Sequence, residues 1–344
     1  MPSSDRNDFV QAVQHARQSS PDASMVVVPL AIRVLADQLT PVLAYRRLVS
    51  SDQRTAPSFL LESVENGDQQ GRHSILGAHP VIEFTARKNA VTLVDHEQKQ
   101  ETTSGSGDPL ADLRAISEQW AYHTPPNAHE QGLLPDCVLG GWFGYSAYDS
   151  VRYAEPKKLG FEHAPKDDRN LPDISFGFYD ELVIFDHVEK LVHLVKLVRV
   201  SPSDDPAARY ESALSDLDRL ATRVQEHSKP LTLGRVPSSK PSRNEPMPCN
   251  TTHEEHASMI ERAREYIEAG DIFQVVLGHR FERRANADPF DVYRSLRAVN
   301  PSPYMVYMQT GGCILVASSP EILCRVRNDE HGRAIVTNRP LAGT

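Results

Sequence analysis

The spacing of apolar positions predicts a mixture of helices and strands in the first two thirds of the chain. A period near 3.6 residues predicts three helices, at residues 8–18, 112–120 and 207–225. Runs rich in β-branched and aromatic residues predict strands at 81–86, 90–94, 137–145, 174–178, 181–186 and 191–200. Only His187–Lys190 separates the last two strands, which favours a hairpin. The polar segment 97–108, rich in Gly and Ser, is predicted to be a loop.

A helix start signal follows residue 250. Thr251 and Thr252 are candidate N-caps, and acidic residues three positions later complete a capping-box pattern. Apolar residues then recur on one stripe as far as Gly270, and glycine suits the position just after a helix. We therefore expect a helix that begins near Thr252 and stops at Gly270.

The run after this helix, Ile272–Leu277, is apolar on both faces except for Gln274. This pattern predicts a buried strand. An amide that is buried without a hydrogen bond costs on the order of 1–3 kcal/mol. Gln274 therefore needs partners, which the protein or a bound ligand can supply.

Residues 227–250 contain five prolines with Ser, Lys and Arg, and few large apolar residues. This composition is typical of a surface linker or a crossover between domains. We therefore divide the chain into an N-terminal portion at 1–226, the linker, and a second portion at 251–344. The pattern leaves open whether the two portions are separable domains or share a sheet.

Composition narrows the class of protein. With 344 residues, 40% of them hydrophobic and 24% charged, the chain resembles soluble globular proteins. Its formal net charge of −9 argues against nucleic acid or an anionic membrane as the main partner. The N-terminus lacks the apolar core of a signal peptide, and the most apolar stretch, Met25–Leu35, is interrupted by Pro29 and Arg33. We expect a cytoplasmic protein without a membrane segment.

The spacing of the Cys and His residues in the sequence is not typical of a metal site or of a catalytic Cys–His pair. The cysteines are scattered without metal-ligand spacing, which favours reduced thiols. Cys137 precedes a glycine turn, but no Cys–His pair is readable, so catalysis by this thiol is disfavoured. His253 and His256 lack the i,i+4 spacing of a zinc-binding helix. No metal ligands are predicted within the chain.

Four segments, taken in order, carry a resemblance to a known family. They are Leu60–Ser63 with Gly71–Ser74, then Gly140–Tyr145, then Gly270–Leu277, and finally Asn300–Met305 with Ser318–Glu321 and Arg339–Thr344. In these segments the chain resembles the large (synthase) component of anthranilate synthase, a member of the chorismate-utilising enzymes. The resemblance covers essentially the whole chain and the front part of the family's usual length.

The resemblance implies an α+β fold with two packed, mostly antiparallel β-sheets flanked by helices. The N-terminal portion would be regulatory, and the second portion would begin a chorismate-binding catalytic domain. The implied activity is that of a lyase that adds ammonia to chorismate and eliminates pyruvate, leaving anthranilate for tryptophan biosynthesis. Mg2+ would be the cofactor, and a glutamine amidotransferase subunit would supply the ammonia. The family's magnesium ligands lie beyond the Ala-Gly-Thr turn, so the resemblance implies that this chain alone is inactive.

The resemblance also assigns the catalytic candidates, Gln274 and Thr344. Gly343 and Thr344 match the family's chorismate-contacting pair, whose backbone N–H and hydroxyl can donate to a carboxylate. Gln274 stands where relatives that add water to chorismate carry a lysine base, a role that a neutral amide cannot fill. Ala342 stands where aminodeoxychorismate synthases carry a nucleophilic lysine. Ammonia is therefore the favoured nucleophile. The alternatives are an aminodeoxychorismate or isochorismate/salicylate synthase, or a non-catalytic fragment that binds only an effector or a subunit.

An effector site for L-tryptophan, acting as a feedback inhibitor, is implied at Ser63, Pro303, Tyr304 and Met305. Ser63 can hydrogen-bond an amino-acid head group, while Tyr304 and Met305 offer aromatic and thioether surface to an indole. The alternative is that Pro303–Met305 is ordinary core packing. Glu321 has two interpretations as well, a site-organising acid or a residue after a helix N-cap at Ser319.

Overall fold

A computed structural model describes residues 2–35, 37–50, 53, 55–63, 71–125, 128, 131–226, 231, 233–234, 247–329 and 333–339. The chain forms two compact units. The first unit comprises Met1–Leu231 and Val292–Pro320, and the second comprises Thr232–Asp291 and Glu321–Thr344.

The helices of the described residues are α1 (Arg6–Ser19), α2 (Pro41–Leu48), α3 (Pro109–Glu118), α4 (Val151–Ala154), α5 (Pro206–Gln225), α6 (His253–Glu268) and α7 (Pro289–Val299). Local chemistry explains where several of them begin. Proline occupies the first turn of α2, α3 and α5, and the side chain of the preceding Thr or Asp accepts a backbone N–H. The capping box predicted at Thr252 is confirmed, with Glu255 as its second member. Gly270 follows α6 at a φ of 79°, as expected for a helix terminator.

The strands in the described part are β1 (Met25–Leu35), β2 (Ser58–Glu62), β3 (His73–Ala78), β4 (Ile82–Arg87), β5 (Ala90–Asp95), β6 (Gln100–Gly105), β7 (Trp120–Tyr122), β8 (Gly141–Ser146), β9 (Ile174–Tyr179), β10 (Glu181–Asp186), β11 (Leu191–Val200), β12 (Tyr304–Gln309), β13 (Ile314–Ser319), β14 (Cys324–Asn328) and β15 (Ala334–Asn338). In the first unit they form two large sheets. The larger has the order β13-β12-β2-β3-β10-β11-β1-β7, and the smaller has the order β6-β5-β4-β9-β8. In the second unit β14 and β15 form a hairpin.

Nearly all the strand pairs are antiparallel, and the exception is the short pair of β1 with β7. The predicted hairpin of β10 and β11 is confirmed, with Asp186 paired to Leu191 across the turn. The structure therefore has the expected fold class, α+β with two mostly antiparallel sheets and flanking helices.

The larger sheet has two different faces. Its inner face packs against the smaller sheet, where Phe59 of β2 stacks on Phe143 of β8 with ring centroids 4.2 Å apart. Its outer face is covered by helices, and there the rings of Tyr45 on α2 and Tyr307 on β12 meet edge to face at 5.3 Å. Because side chains alternate along a strand, this division assigns every residue of β2 and β12 to one face or the other.

Gly144, in the segment Gly140–Tyr145, lies where β8 packs closely against β9. A Cβ at this position would overlap the backbone oxygen of Ser175 and lie 2.6 Å from the Cα of Phe176 on β9. Only glycine lets β8 approach β9 this closely. Close packing of β8 against β9 therefore explains the glycine at this position.

Three expectations from the sequence were wrong. Residues 100–105 form the edge strand β6 rather than a loop, and every residue of the strand is exposed. A strand that is polar on both faces gives no alternation signal. Residues 272–277 form no strand, and the side chain of Phe273 is 92% exposed. No helix starts after Ser319, which is instead the last residue of β13.

Among the described residues, no helix combines the length and the apolar character that crossing a membrane requires.

Candidate functional site

The pairing of β2 with β12 joins two of the segments that the resemblance singled out. Met305 lies opposite Glu62, and Val306 lies opposite Leu61. Ser63 directly follows β2, and Tyr304 begins β12. The fold thus places the proposed effector residues at one end of two neighbouring strands, although more than two hundred positions separate Ser63 from Tyr304 in sequence.

The two faces of the sheet divide these residues. Leu61 and Val306 pack into the core between the sheets, so alternation directs Ser63 and Tyr304 to the same inner face. Met305 and Glu62 take the outer face, where Met305 is fully buried and the Ser302 hydroxyl donates to its Sδ at 3.4 Å. Pro303 is buried just before the strand. Ser63 and Tyr304 are therefore the half-buried members of the group, while Met305 belongs to the core.

The Ser63 hydroxyl is a polar group that lies directly after β2. Its Oγ is buried and has no hydrogen-bond partner among the described residues. Such an atom costs free energy unless water or a ligand bonds to it. This hydroxyl is the feature of the site that is best suited to a ligand's polar group.

Glu62, the neighbour of Ser63, is held by α7. The Tyr293 hydroxyl donates to Glu62 Oε2 at 2.6 Å, and Arg297 Nε lies 2.8 Å from the same oxygen. Arg297 also donates to Glu62 Oε1 at 3.1 Å. Burial raises the pKa of the Glu62 carboxyl, and Arg297 and Tyr293 act in the opposite direction. With both oxygens occupied, this carboxylate fixes β2 to α7.

The segment Gly71–Ser74 has a structural role in this arrangement. Arg72 Nε donates to Asp186 Oδ2 at 2.8 Å, and His73 Nε2 lies 3.4 Å from the same oxygen. Ser74 Oγ and His187 Nε2 are 2.7 Å apart. These contacts hold the start of β3 against the β10–β11 hairpin. The neighbouring strand on the other side of β3 is β2, which ends at Glu62, just before Ser63.

Burial acts against a charge on Asp186, yet the pKa of this carboxyl is lowered. The Arg72 guanidinium and the backbone N–H groups of Glu189 and Val188 outweigh the burial by donating hydrogen bonds to the carboxylate. Asp186 is therefore an ionised anchor for the end of the hairpin.

The catalytic candidates lie in the second unit or outside the described residues. Gln274 is half-buried in the segment that was expected to form a strand. Gly343 and Thr344 lie outside the described residues, and so does Ala342. The structure consequently brings together the effector candidates but does not test the substrate-binding ones.

The described residues do not fit a magnesium site. Nowhere in that part of the chain do three His, Cys, Asp or Glu side chains come together as metal ligands.

Tyr293 and Arg297 are the residues that sequence reasoning missed. They lie one helical turn apart on α7, so both side chains reach the same carboxylate. Their i,i+4 spacing was visible in the sequence, but their partner lies more than two hundred positions earlier, and nothing local identifies it.

The architecture is that of a mixed α+β protein in which two antiparallel sheets pack together and one strand pair joins distant segments. A similar fold occurs in anthranilate synthase component I from Streptococcus pneumoniae TIGR4, with a TM-score of 0.55, 25% identity and coverage of 86% of this chain and 59% of that one. The chain belongs to the chorismate binding enzyme family, whose model matches residues 56–344.

Two curated relatives carry a more specific name. The chain is 48% identical over 323 residues to anthranilate synthase alpha subunit 1, chloroplastic, from Oryza sativa subsp. indica. It is 46% identical over 325 residues to anthranilate synthase alpha subunit 2, chloroplastic, from Arabidopsis thaliana. Each alignment covers 92% of this chain but only 54% and 50% of the relative, so the chain spans about half the length of these proteins.

The names of these relatives correct one expectation. A plain cytoplasmic location, inferred from the absence of a signal peptide, is wrong, because both plant relatives are chloroplastic proteins. A signal-peptide pattern tests only for secretion and says nothing about organelles.

Proposed function

We propose that the protein containing this chain is the large subunit of anthranilate synthase. In this role it converts chorismate and ammonia to anthranilate, pyruvate and water in tryptophan biosynthesis; the ring hydroxyl leaves as water. The observation that carries the proposal is the identity of 46–48%, over 92% of the chain, to proteins named anthranilate synthase alpha subunits. Membership of the chorismate binding enzyme family supports the same substrate.

Two residues favour ammonia as the nucleophile. Gln274 offers a neutral amide, which can donate and accept hydrogen bonds but cannot take a proton from water as a lysine amine can. Ala342 has no side-chain nucleophile. Gln274 therefore argues against the addition of water to chorismate, and Ala342 argues against a reaction that needs a lysine nucleophile. Both residues favour the direct addition of ammonia.

The remaining parts of the proposal follow from the family resemblance. Ammonia would come from glutamine through a partner amidotransferase subunit. Mg2+ would polarise the substrate as a Lewis acid when bound, although the described residues supply no ligand set for it. Gly343 and Thr344 would hold the substrate carboxylate through a backbone N–H and a hydroxyl.

Product analysis tests the reaction. The protein containing this chain is incubated with chorismate, magnesium and ammonium salt, and the products are separated by chromatography with detection of anthranilate fluorescence. Anthranilate and pyruvate in equal amounts are expected. A hydroxylated product such as isochorismate, or an aminodeoxychorismate that retains its pyruvyl group, would refute the assignment. Replacing Gln274 by Lys provides a matched variant, and we expect it to lose anthranilate formation.

We further propose that tryptophan inhibits the enzyme by binding beside the side chains of Ser63 and Tyr304, while buried Pro303 and Met305 fix the end of β12 that carries Tyr304. The unsatisfied Oγ of Ser63 supports this, because it can hydrogen-bond an amino-acid head group. Tyr304 on the same face offers an aromatic surface to the indole. Glu62 is not a proposed contact, since Tyr293 and Arg297 already bind both of its oxygens.

Calorimetric titration of tryptophan tests this site. Ser63→Ala is expected to weaken binding about tenfold, the equivalent of one hydrogen bond of about 1.4 kcal/mol. Ser212→Ala, at an exposed position of α5, is the matched control and should bind as the parent does. Unchanged affinity in Ser63→Ala would exclude this residue from the site.

A further inference from the structure

A cleft lies in the first unit at the β7 edge of the larger sheet, away from β2 and Ser63. It opens between α1 and the segment that follows β7, and its volume is about 610 Å³. Volumes of this size are typical of small-molecule sites. Five strand spacings of about 4.8 Å separate β2 from β7 in the sheet, so the cleft is on the order of 24 Å from the proposed effector residues.

One buried polar atom in this cleft has no partner. Ser4 lines the cleft and is only 7% exposed, and its Oγ forms no hydrogen bond with any described residue. The backbone of Ser4 is fixed, because its carbonyl accepts a hydrogen bond from the Tyr210 hydroxyl at 3.0 Å. The side chain therefore presents an unsatisfied hydroxyl from a rigid position.

Two imidazole rings form part of the wall. His15 of α1 and His123, just after β7, have ring centroids 5.2 Å apart. Burial lowers the pKa of His123, and the proximity of His15 lowers it further. His123 is therefore neutral near pH 7 and offers an acceptor nitrogen rather than a positive charge.

The charges lining the cleft decide which ligand it suits. Asp8 supplies a carboxylate, and no lysine or arginine is among the described residues of the lining. The Asp8 carboxylate is exposed, so water screens its charge, but it still attracts a cation and repels an anion. The formal net charge of −9 for the whole chain favours the approach of cations as well.

We propose that this cleft binds a small organic cation, an amine whose ammonium group pairs with the Asp8 carboxylate. The Ser4 hydroxyl and the neutral His123 ring act as further acceptors for its N–H groups. The hydrocarbon part of the ligand packs on Ala12 and Leu133, which contribute apolar surface to the same cleft. This site is independent of the proposed chorismate chemistry.

Three ligands of matched size and different charge test the proposal. The isotope-labelled protein is titrated with n-butylamine, n-butanol and butyrate at pH 7.5, and the NMR signals of Ser4, His15 and His123 are followed. We expect butylamine to shift these signals saturably and to bind more tightly than butanol, with butyrate weakest. Signals of Ser63 and Tyr304 should not move, since β2 and β12 lie five and six strand positions away from β7 in the sheet.

Asp8→Asn separates the charge of the site from its shape. This variant should bind butylamine about threefold more weakly, as expected for the loss of a solvent-exposed ion pair, and should bind butanol unchanged. Asp22→Asn, an exposed carboxylate that does not line the cleft, is the control and should match the parent. Circular dichroism establishes that α1 remains folded in both variants. Butyrate binding as tightly as butylamine, an unaltered Asp8→Asn affinity, or no saturable shift with any of the three ligands would overturn the proposal.

Discussion

Replacing Arg297 by Met gives the sharpest test of how the Ser63 end of the sheet is held. The substitution keeps much of the length and apolar stem of the side chain but removes the charge that lies 2.8 Å from Glu62 Oε2. Glu62 has a side chain only 3% exposed, so it would keep a buried carboxylate with the Tyr293 hydroxyl as its remaining partner.

The size of the effect follows from burial. Breaking a buried ion pair by removing one partner costs about 3–5 kcal/mol. Because the Arg297 side chain is 32% exposed, water screens part of the interaction, and we expect a loss of about 2–3 kcal/mol. With a urea dependence of roughly 2–3 kcal/mol per molar, the midpoint of unfolding should fall by about 1 M.

The effect should also depend on pH. Burial already raises the pKa of Glu62 above the value of about 4.3 that is usual for glutamate. A group with a raised folded-state pKa stabilises the fold below its usual pKa, and this contribution is lost as the pH rises through the raised value. Removing Arg297 raises the pKa of Glu62 further. The destabilisation by Arg297→Met should therefore be larger at pH 8 than at pH 5.

Urea unfolding followed by tryptophan fluorescence measures these changes, since both tryptophans, Trp120 and Trp142, lie in the first unit. Arg219→Met is the matched control, because the Arg219 side chain is 68% exposed and pairs only with the neighbouring turn of α5. It should cost less than about 0.5 kcal/mol. Equal losses in the two variants, or a loss in Arg297→Met that is the same at both pH values, would refute the assignment of Glu62 as a buried, compensated charge.

Three further predictions concern other parts of the first unit. Thermal unfolding should occur at lower temperature as the pH falls below about 6.5, because burial lowers the pKa of five histidines and the unfolded chain then binds more protons. These are His73, His79, His123, His187 and His193. His193→Gln should make this pH dependence shallower. Gly144→Ala should destabilise the protein by about 2 kcal/mol, because its Cβ overlaps the Ser175 backbone, whereas Gly107→Ala, with open space around its Cβ, should be nearly neutral in urea unfolding. Iodoacetamide should label Cys137 far more slowly than exposed Cys249, as measured by mass spectrometry, because burial raises the pKa of the Cys137 thiol to about 12; equal rates would contradict this.

The elements predicted well from the sequence are those that carry their own signal. The capping box of α6, the apolar face of α5 and the β10–β11 hairpin each depend on residues that are close in sequence. Local propensity and local hydrogen bonding determine such elements, so their chemistry can be read without knowing the rest of the fold.

The wrong strand predictions concern segments whose structure depends on pairing with another strand. The strand β6 is a polar edge strand that forms because β5 pairs with it, including a Thr92–Thr103 contact at 3.2 Å. Residues 272–277 show the reverse case, since a strongly apolar pattern forms no strand when no described strand pairs with it. Hydrophobicity therefore predicts the tendency of a segment to be buried, while pairing determines whether it becomes a strand.

The candidate site could also be predicted only in part from residues that are close in sequence. The motif residues Ser63 and Tyr304 could be chosen by resemblance, but the role of Glu62 depends on a hydrogen bond across 231 positions of sequence. The larger sheet takes β12 and β13 from beyond residue 292, and β12 pairs with every residue of β2 from Ser58 to Glu62. Without this pairing, β2 would be an exposed edge, and Leu61 would lose Val306 as its neighbour in the inner core. The unsatisfied Ser63 hydroxyl is therefore positioned by the same long-range strand pair that stabilises the sheet, so a ligand that bonds to Ser63 would act directly on that pair.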